Sequence, residues 1–309
     1  MFKTPIGEFD GDRWEAFCQT CFTLKFENEG YQRMPARFNG DLGIEGFTTR
    51  TGKVFQCYCP DEETTPKDLY ERQRDKVTND LQKIEANKSQ LEGYLNGTKI
   101  KEWILLTPRV DNKDLIKHCR SKVLEYKAKK LDHLDPNFEV FVQEIDYLSE
   151  HFQVALGMMN QKIAIIPDGM VSDVEITQWK GKTVNLVDNA MRKYESIVPD
   201  SPNKENRVNA MTDRAVKRFL NGNLVIATWK EKFPQRYENF EDIIGRFEDE
   251  VEDRCATHIG DNNELFKEIK RDLNSKLASE FDDLSVNTVD TLCDLIVSRW
   301  ILNCPLNFE

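Results

Sequence analysis

GDLGIEGFTTRTGKVFQCYC, residues Gly40 to Cys59, is the stretch around which the rest of the chain is read. It places two acids, Asp41 and Glu45, on a glycine-punctuated segment that reads as a strand. A short turn, Thr49 to Lys53, leads to a second strand, Val54 to Cys59. Side chains alternate faces along a strand. Gln56 and Tyr58 therefore share one face, and Phe55, Cys57 and Cys59 the other. In a hairpin the polar face of the second strand lies beside Asp41 or Glu45, and converging oxygen ligands suit a hard divalent cation. A solvated hairpin with incidental acids fits the same spacing, and both readings stand at this point.

Outward from the hairpin, the first half alternates helices and strands. Asp10 caps a helix in which Trp14, Phe17, Cys18, Cys21 and Phe22 repeat at helical spacing. Glu15 flanks that apolar stripe. Gly30 to Met34 reads as a short strand stopped by Pro35. Thr65-Pro66-Lys67-Asp68 is a strong helix start, because threonine caps and proline in the first turn loses no needed donor. This helix runs to about Ala86 on Leu69, Val77, Leu81 and Ile84, and Gln73 and Lys76 fall on the same face. Polar groups there need partners. A hydrogen-bonded core glutamine and a snorkelling surface lysine are the alternatives to a site role. Glu102 to Thr107 reads as a buried strand, Asp111 to Lys129 as a helix and Phe138 to Gln143 as the last strand. The expected fold class is α/β: a mixed sheet flanked by helices over residues 1–150, then a mainly α-helical domain over 151–309.

In that second part Lys162 to Ile166 reads as one more short strand. Helices are expected near Thr183 to Ser196 and from about Asn203 to Lys232, where Pro234 ends the pattern. Glu238 to Cys255 gives an acidic helix. Leu265, Ile269, Leu273, Leu277 and Phe281 make one apolar stripe, and Val289, Leu292, Cys293, Ile296, Val297 and Trp300 another. Such stripes build a core, and a helical domain of this kind serves assembly.

The 309 residues carry a net charge of −11, which argues against broad nonspecific binding to nucleic acid. Residues 1–150 hold 23 Lys and Arg against 27 Asp and Glu, and residues 151–309 hold 20 against 27, so neither half is basic in bulk. No segment matches the roughly 18 apolar residues of a membrane span, and no apolar leader opens the chain. A cytoplasmic location without membrane attachment is the expectation. Eight cysteines then read as reduced thiols. Cys18-x-x-Cys21 and Cys57-x-Cys59 could form a four-thiolate zinc site, but their helix and strand settings favour buried packing, so zinc is not expected. The four histidines have no metal-ligand spacing, and no P-loop occurs.

On its acid-bearing first helix (Trp14-Glu15-Ala16-Phe17), its Gly40-Asp41-Leu42-Gly43-Ile44-Glu45-Gly46 motif and its Val54-Phe55-Gln56-Cys57-Tyr58 strand, the N-terminal half resembles the restriction-endonuclease-like, or PD-(D/E)XK, nuclease superfamily, most closely its Mrr-like branch. The resemblance covers residues 10 to about 145. It implies a restriction-endonuclease-like fold and metal-dependent hydrolysis of DNA with Mg²⁺ or Mn²⁺. Asp41 and Gln56 would hold the metal, with Glu45 or Glu15 assisting. The family's lysine falls on Tyr58, and a phenol with a pKa of about 10 carries no positive charge at neutral pH. Lys76 is the expected substitute, with Gln73 and Tyr58 lining the site. The alternative is an inactive nuclease fold that serves as a scaffold or binding subunit. By analogy with the family, the chain would be an effector of an antiviral defence system, with an ATPase or sensor partner and possible homo-oligomerisation.

Overall fold

The computed structural model of the chain describes residues 1–35, 40–167, 169–303 and 306. Among them are eleven α-helices, a five-stranded mixed sheet and a two-stranded sheet. The chain divides into two compact units, residues 1–161 and 162–309. The first runs past the boundary expected at residue 150, because Phe152 packs on Phe17 with ring centroids 5.6 Å apart.

The first unit opens with a hairpin, β1 (Phe2–Thr4) and β2 (Gly7–Phe9), followed by α1 (Gly11–Lys25). Asp10 caps α1 by accepting from the Arg13 amide at 2.9 Å. The main sheet has the order β3 (Tyr31–Arg33), β4 (Gly46–Thr48), β5 (Lys53–Cys57), β6 (Ile100–Leu106), β7 (Leu134–Gln143). Its first three strands are an antiparallel meander, whereas β5, β6 and β7 are parallel. The crossovers are α2 (Pro66–Ala86) with α3 (Lys88–Leu95), and then α4 (Asp114–Lys129). Thr65 caps α2 as its sequence indicates, accepting from the Asp68 amide at 3.2 Å.

Helices cover both faces of the sheet. On one face α1 stacks Phe22 on Phe55 at 4.5 Å. On the other, Val77, Leu81 and Ile84 of α2 and Leu115, Cys119 and Val123 of α4 pack against Val54, Trp103, Leu105 and Val140.

The structure corrects the hairpin at its first strand. Residues 40–45 are not extended. Asp41 to Ile44 form a tight turn in which the Ile44 amide donates to the Asp41 carbonyl at 2.9 Å, with positive φ at Leu42 (54°) and Gly43 (87°). The regular register begins at Gly46, opposite Phe55, with Glu45 already tied by backbone hydrogen bonds to Phe55 and Met34. The Trp103 indole donates to the Gly43 carbonyl at 3.2 Å, and a Cβ on Gly43 would lie 2.3 Å from the Asp80 carbonyl oxygen of α2. Only glycine fits so close to another backbone at this φ.

The second unit contains α6 (Asp173–Lys182), α7 (Val184–Ile197), α8 (Lys204–Lys232), α9 (Pro234–Thr257), α10 (Asn262–Glu280) and α11 (Val286–Leu302); α5 (Phe152–Met158) belongs to the first. Pro234 opens α9 rather than merely ending α8, since a first-turn proline sacrifices no hydrogen bond. Neither α3 nor α6 is evident from periodicity: each is short, and α6 buries no residue. The strand expected at Lys162 to Ile166 is a single bridge, Ile163 to Leu284. The apolar stripes of α8 to α11 are core: Trp229 meets Phe240 and Phe281, and Phe247 stacks on Trp300 at 6.0 Å. Buried Lys193 of α7 donates to the Trp300 and Asn303 carbonyls, at 2.7 and 3.1 Å, and so caps the end of α11.

Gly43→Ala should destabilise the protein by more than about 2 kcal/mol, combining left-handed strain with backbone contact. Gly97→Ala isolates the conformational part, because Gly97 has φ of 86° with open space around it; it should cost about 1 kcal/mol. Urea unfolding of both variants measures the difference, and equal costs would mean that the turn is not pinned against α2.

Candidate functional site

The turn and the end of β5 meet α2 in a polar cluster on the α2 side of the sheet. Gln56 is wholly buried. Its Nε2 donates to Asp41 Oδ2 at 3.0 Å and to Glu45 Oε1 at 2.8 Å, whereas its Oε1 is buried without a hydrogen-bond partner. Three of the residues singled out in the sequence thus come together.

Each carboxylate is held from several directions. Asp41 Oδ1 accepts from the Gly43 amide at 3.1 Å and from Lys83 Nζ at 3.3 Å. Burial works against the Asp41 charge, but the Gly43 and Gln56 hydrogen bonds and the Lys83 and Lys76 ammonium groups outweigh it. The carboxyl sits below its ordinary range. Glu45 is fixed through its backbone: its amide donates to Phe55 O at 2.8 Å, and its carbonyl accepts from Met34 N at 2.8 Å and Gln19 Nε2 at 3.0 Å. Its Oε2 accepts the Cys57 amide at 3.0 Å. Burial pushes the Glu45 carboxyl up to about 7, with Lys76 opposing and Glu15 adding to the rise.

Two residues of this cluster, Asp80 and Lys83, do not stand out in the sequence. Asp80 is 1% exposed, with Lys83 Nζ 2.7 Å from Oδ1 and Lys76 Nζ 3.0 Å from Oδ2. Lys76, Asp80 and Lys83 are spaced i, i+4, i+7 on α2, so they lie on one face. The signal was an acid between two lysines beside the buried stripe of Val77, Leu81 and Ile84. Lys83, not Lys76, is the ammonium that touches Asp41. Lys76 faces the same acids through space and contacts Asp80.

The other expected site residues lie elsewhere. Gln73 is buried, but it donates to Thr107 Oγ1 at 2.9 Å and to the Arg109 carbonyl at 2.8 Å, beyond the end of β6. It is a hydrogen-bonded core glutamine. The half-buried Tyr58 hydroxyl pairs with Arg72; burial raises its pKa and so keeps it neutral. Glu15 pairs with Arg33 at 2.9 Å and reaches the cluster only through its field on Glu45. Cys18, Cys21, Cys57, Cys59, Cys119 and Cys293 are free thiols, and burial raises those of Cys18, Cys21, Cys57 and Cys59. Among the described residues no group of three or more His, Cys, Asp or Glu side chains is arranged to hold a metal ion. The oxygen set here is two carboxylates and a carboxamide. None of the helices described is long and apolar enough to cross a membrane.

Glu45 makes the stability of the protein pH-sensitive. Its carboxyl ionises near 4.5 in the unfolded chain and near 7 in the folded one. Between those values the folded state binds more protons, so stability is highest below the unfolded pKa and falls as pH rises toward 7. The loss amounts to about 3 kcal/mol. Urea titrations in EDTA from pH 5 to 8 should show this decline in the native chain and a flatter profile in Glu45→Gln. Parallel profiles would show that Glu45 ionises normally.

Comparison with protein-family models, with curated proteins and with solved structures finds no match to this chain.

Proposed function

We propose that the first unit is a metal-dependent endonuclease domain and that the chain is an effector subunit acting on DNA. The observation that carries this reading is the buried Gln56 carboxamide, whose donor end joins Asp41 to Glu45 and whose acceptor end is unsatisfied. An orphaned buried oxygen costs about 1–3 kcal/mol. Turned end for end, the same carboxamide presents Oε1 between the two carboxylates, completing an oxygen set suited to Mg²⁺ or Mn²⁺. Asp41, Glu45 and Gln56 would be its holders. Such a cation would supply Lewis-acid chemistry, polarising a phosphoryl oxygen and lowering the pKa of water.

The chain's own residues account for the remaining tasks. Lys83, beside Asp41, carries the positive charge that Tyr58 lacks, and Asp80 fixes both Lys83 and Lys76. These ammonium groups stabilise negative charge developing on a phosphodiester. The position of the site, at the carboxyl end of β5, is where open α/β sheets bind ligands. DNA as the substrate, and a defence system with an ATPase or sensor partner, come from the resemblance of the motif alone.

One observation favours a second reading, an inactive nuclease fold used as a scaffold. Both Asp41 oxygens are already engaged, by Lys83 and Gln56. Incubation of the full chain with plasmid and linear DNA in Mg²⁺ or Mn²⁺ separates the two. Cleavage should fall at least about a hundredfold in Asp41→Ala and Lys83→Ala, and less in Lys76→Ala. Cleavage that survives Asp41→Ala would remove the site from the reaction. Absence of cleavage in either metal would favour the scaffold.

A further inference from the structure

The second unit holds a cleft of 570 Å³. That volume is within the range of small-molecule sites, roughly 300–1,000 Å³. Ile197 and Val198, at the end of α7, form an apolar wall with Met211 of α8. Arg207 and Arg214 line the same cleft, two turns apart on α8, or about 10 Å along its axis. Asn206 of α8 and Asn263 of α10 add two carboxamides.

The two arginines differ from several others in this unit. Arg218, Arg236, Arg254 and Arg299 each hold a carboxylate. Neither Arg207 nor Arg214 has a carboxylate partner among the described residues, and Arg214 Nε donates only to its own helix, at Ala210 O, 3.2 Å away. Arg246 of α9 also lacks a carboxylate partner among them and donates only to its own helix, at Asp242 O, but Arg207 and Arg214 are the two that line one cleft. In a chain of net charge −11, with acids in excess in this half, two unpaired guanidinium groups on one cleft are not a product of bulk composition.

We propose that this cleft binds a nucleotide. Guanidinium groups match phosphate oxygens in a bidentate fork, and two of them suit a polyanionic phosphate chain. A carboxamide carries a donor and an acceptor on one side chain, as the edge of a nucleobase requires. The apolar wall takes the face of the ring. An acyl-chain carboxylate would leave Asn206 and Asn263 against hydrocarbon, and inorganic phosphate alone would leave the apolar wall in water. The site is independent of the Asp41 cluster, and its occupancy is measured without any cleavage assay.

Calorimetric titration of the full chain in EDTA tests this, with the four ribonucleoside 5′-monophosphates and 5′-triphosphates, inorganic phosphate and adenosine as probes. EDTA keeps metal-bridged binding at Asp41 out of the signal. At least one nucleotide should bind with one-to-one stoichiometry, about tenfold or more tighter than phosphate or adenosine. Arg207→Gln and Arg214→Gln should each weaken it about tenfold or more, while Asp41→Ala leaves it unchanged. Both arginines are exposed, so these variants keep the fold. The proposal is overturned if no nucleotide binds at millimolar concentration. Binding unaffected by either arginine variant, or phosphate binding as tightly as the nucleotides, would overturn it equally.

Discussion

Burying charge at the end of a sheet is the constraint on which the first unit turns. Asp41, Glu45 and Asp80 bring three carboxyl groups into one cluster, where an unpaired carboxylate would cost several kcal/mol. The cluster survives because every carboxyl has a hydrogen-bond donor, from Gln56, Lys83 or the Gly43 and Cys57 amides, and Lys76 adds an ion pair at Asp80 Oδ2. With two ammonium groups against three acids, one proton still lowers the cost, and Glu45 is the acid that retains it as pH falls below 7.

That balance dictates the surrounding backbone. Asp41 reaches Gln56 only because the chain reverses in a tight left-handed turn, and the turn holds only because Gly43 has no side chain to strike α2. The Trp103 indole, wholly buried, takes up the carbonyl that the turn leaves pointing inward. Glu45 is set by a different chain of contacts, in which the Tyr31 hydroxyl donates to Gln19 Oε1 at 2.6 Å and Gln19 donates to the Glu45 carbonyl. Rigid packing thus supports a charged group from both sides of the sheet, the arrangement that preorganised sites require.

Much of this was legible in the residues. The alternation through Val54 to Cys59 placed Gln56 on the face opposite Phe55, and its partnership with Asp41 and Glu45 followed from a hairpin argument. The same argument fails on conformation, because glycines at 40 and 43 that would punctuate a strand make a turn instead. Lys83 and Asp80 were hidden for another reason. On an isolated helix they look like a solvated flank, and only the approach of the Gly43 turn buries Asp80 to 1%. Gln73 was on the correct face of α2, but one turn toward its N-terminus from Lys76 it meets the loop after β6. The cleft of the second unit has no sequence signal, since its wall, arginines and carboxamides come from three separate helices, α7, α8 and α10, and the apolar residues repeat as an ordinary core.

The Trp103 contact also has a consequence in time. The turn carrying Asp41 depends on an indole that lies 60 residues further along the chain, on a strand that enters the sheet only after the α2 crossover. During synthesis from the N-terminus, the first three strands leave the ribosome before their parallel neighbour exists. A nascent chain that ends before β6 therefore has the acids but not the geometry, and the Asp41–Gln56–Glu45 set is assembled late, once the sheet is nearly complete.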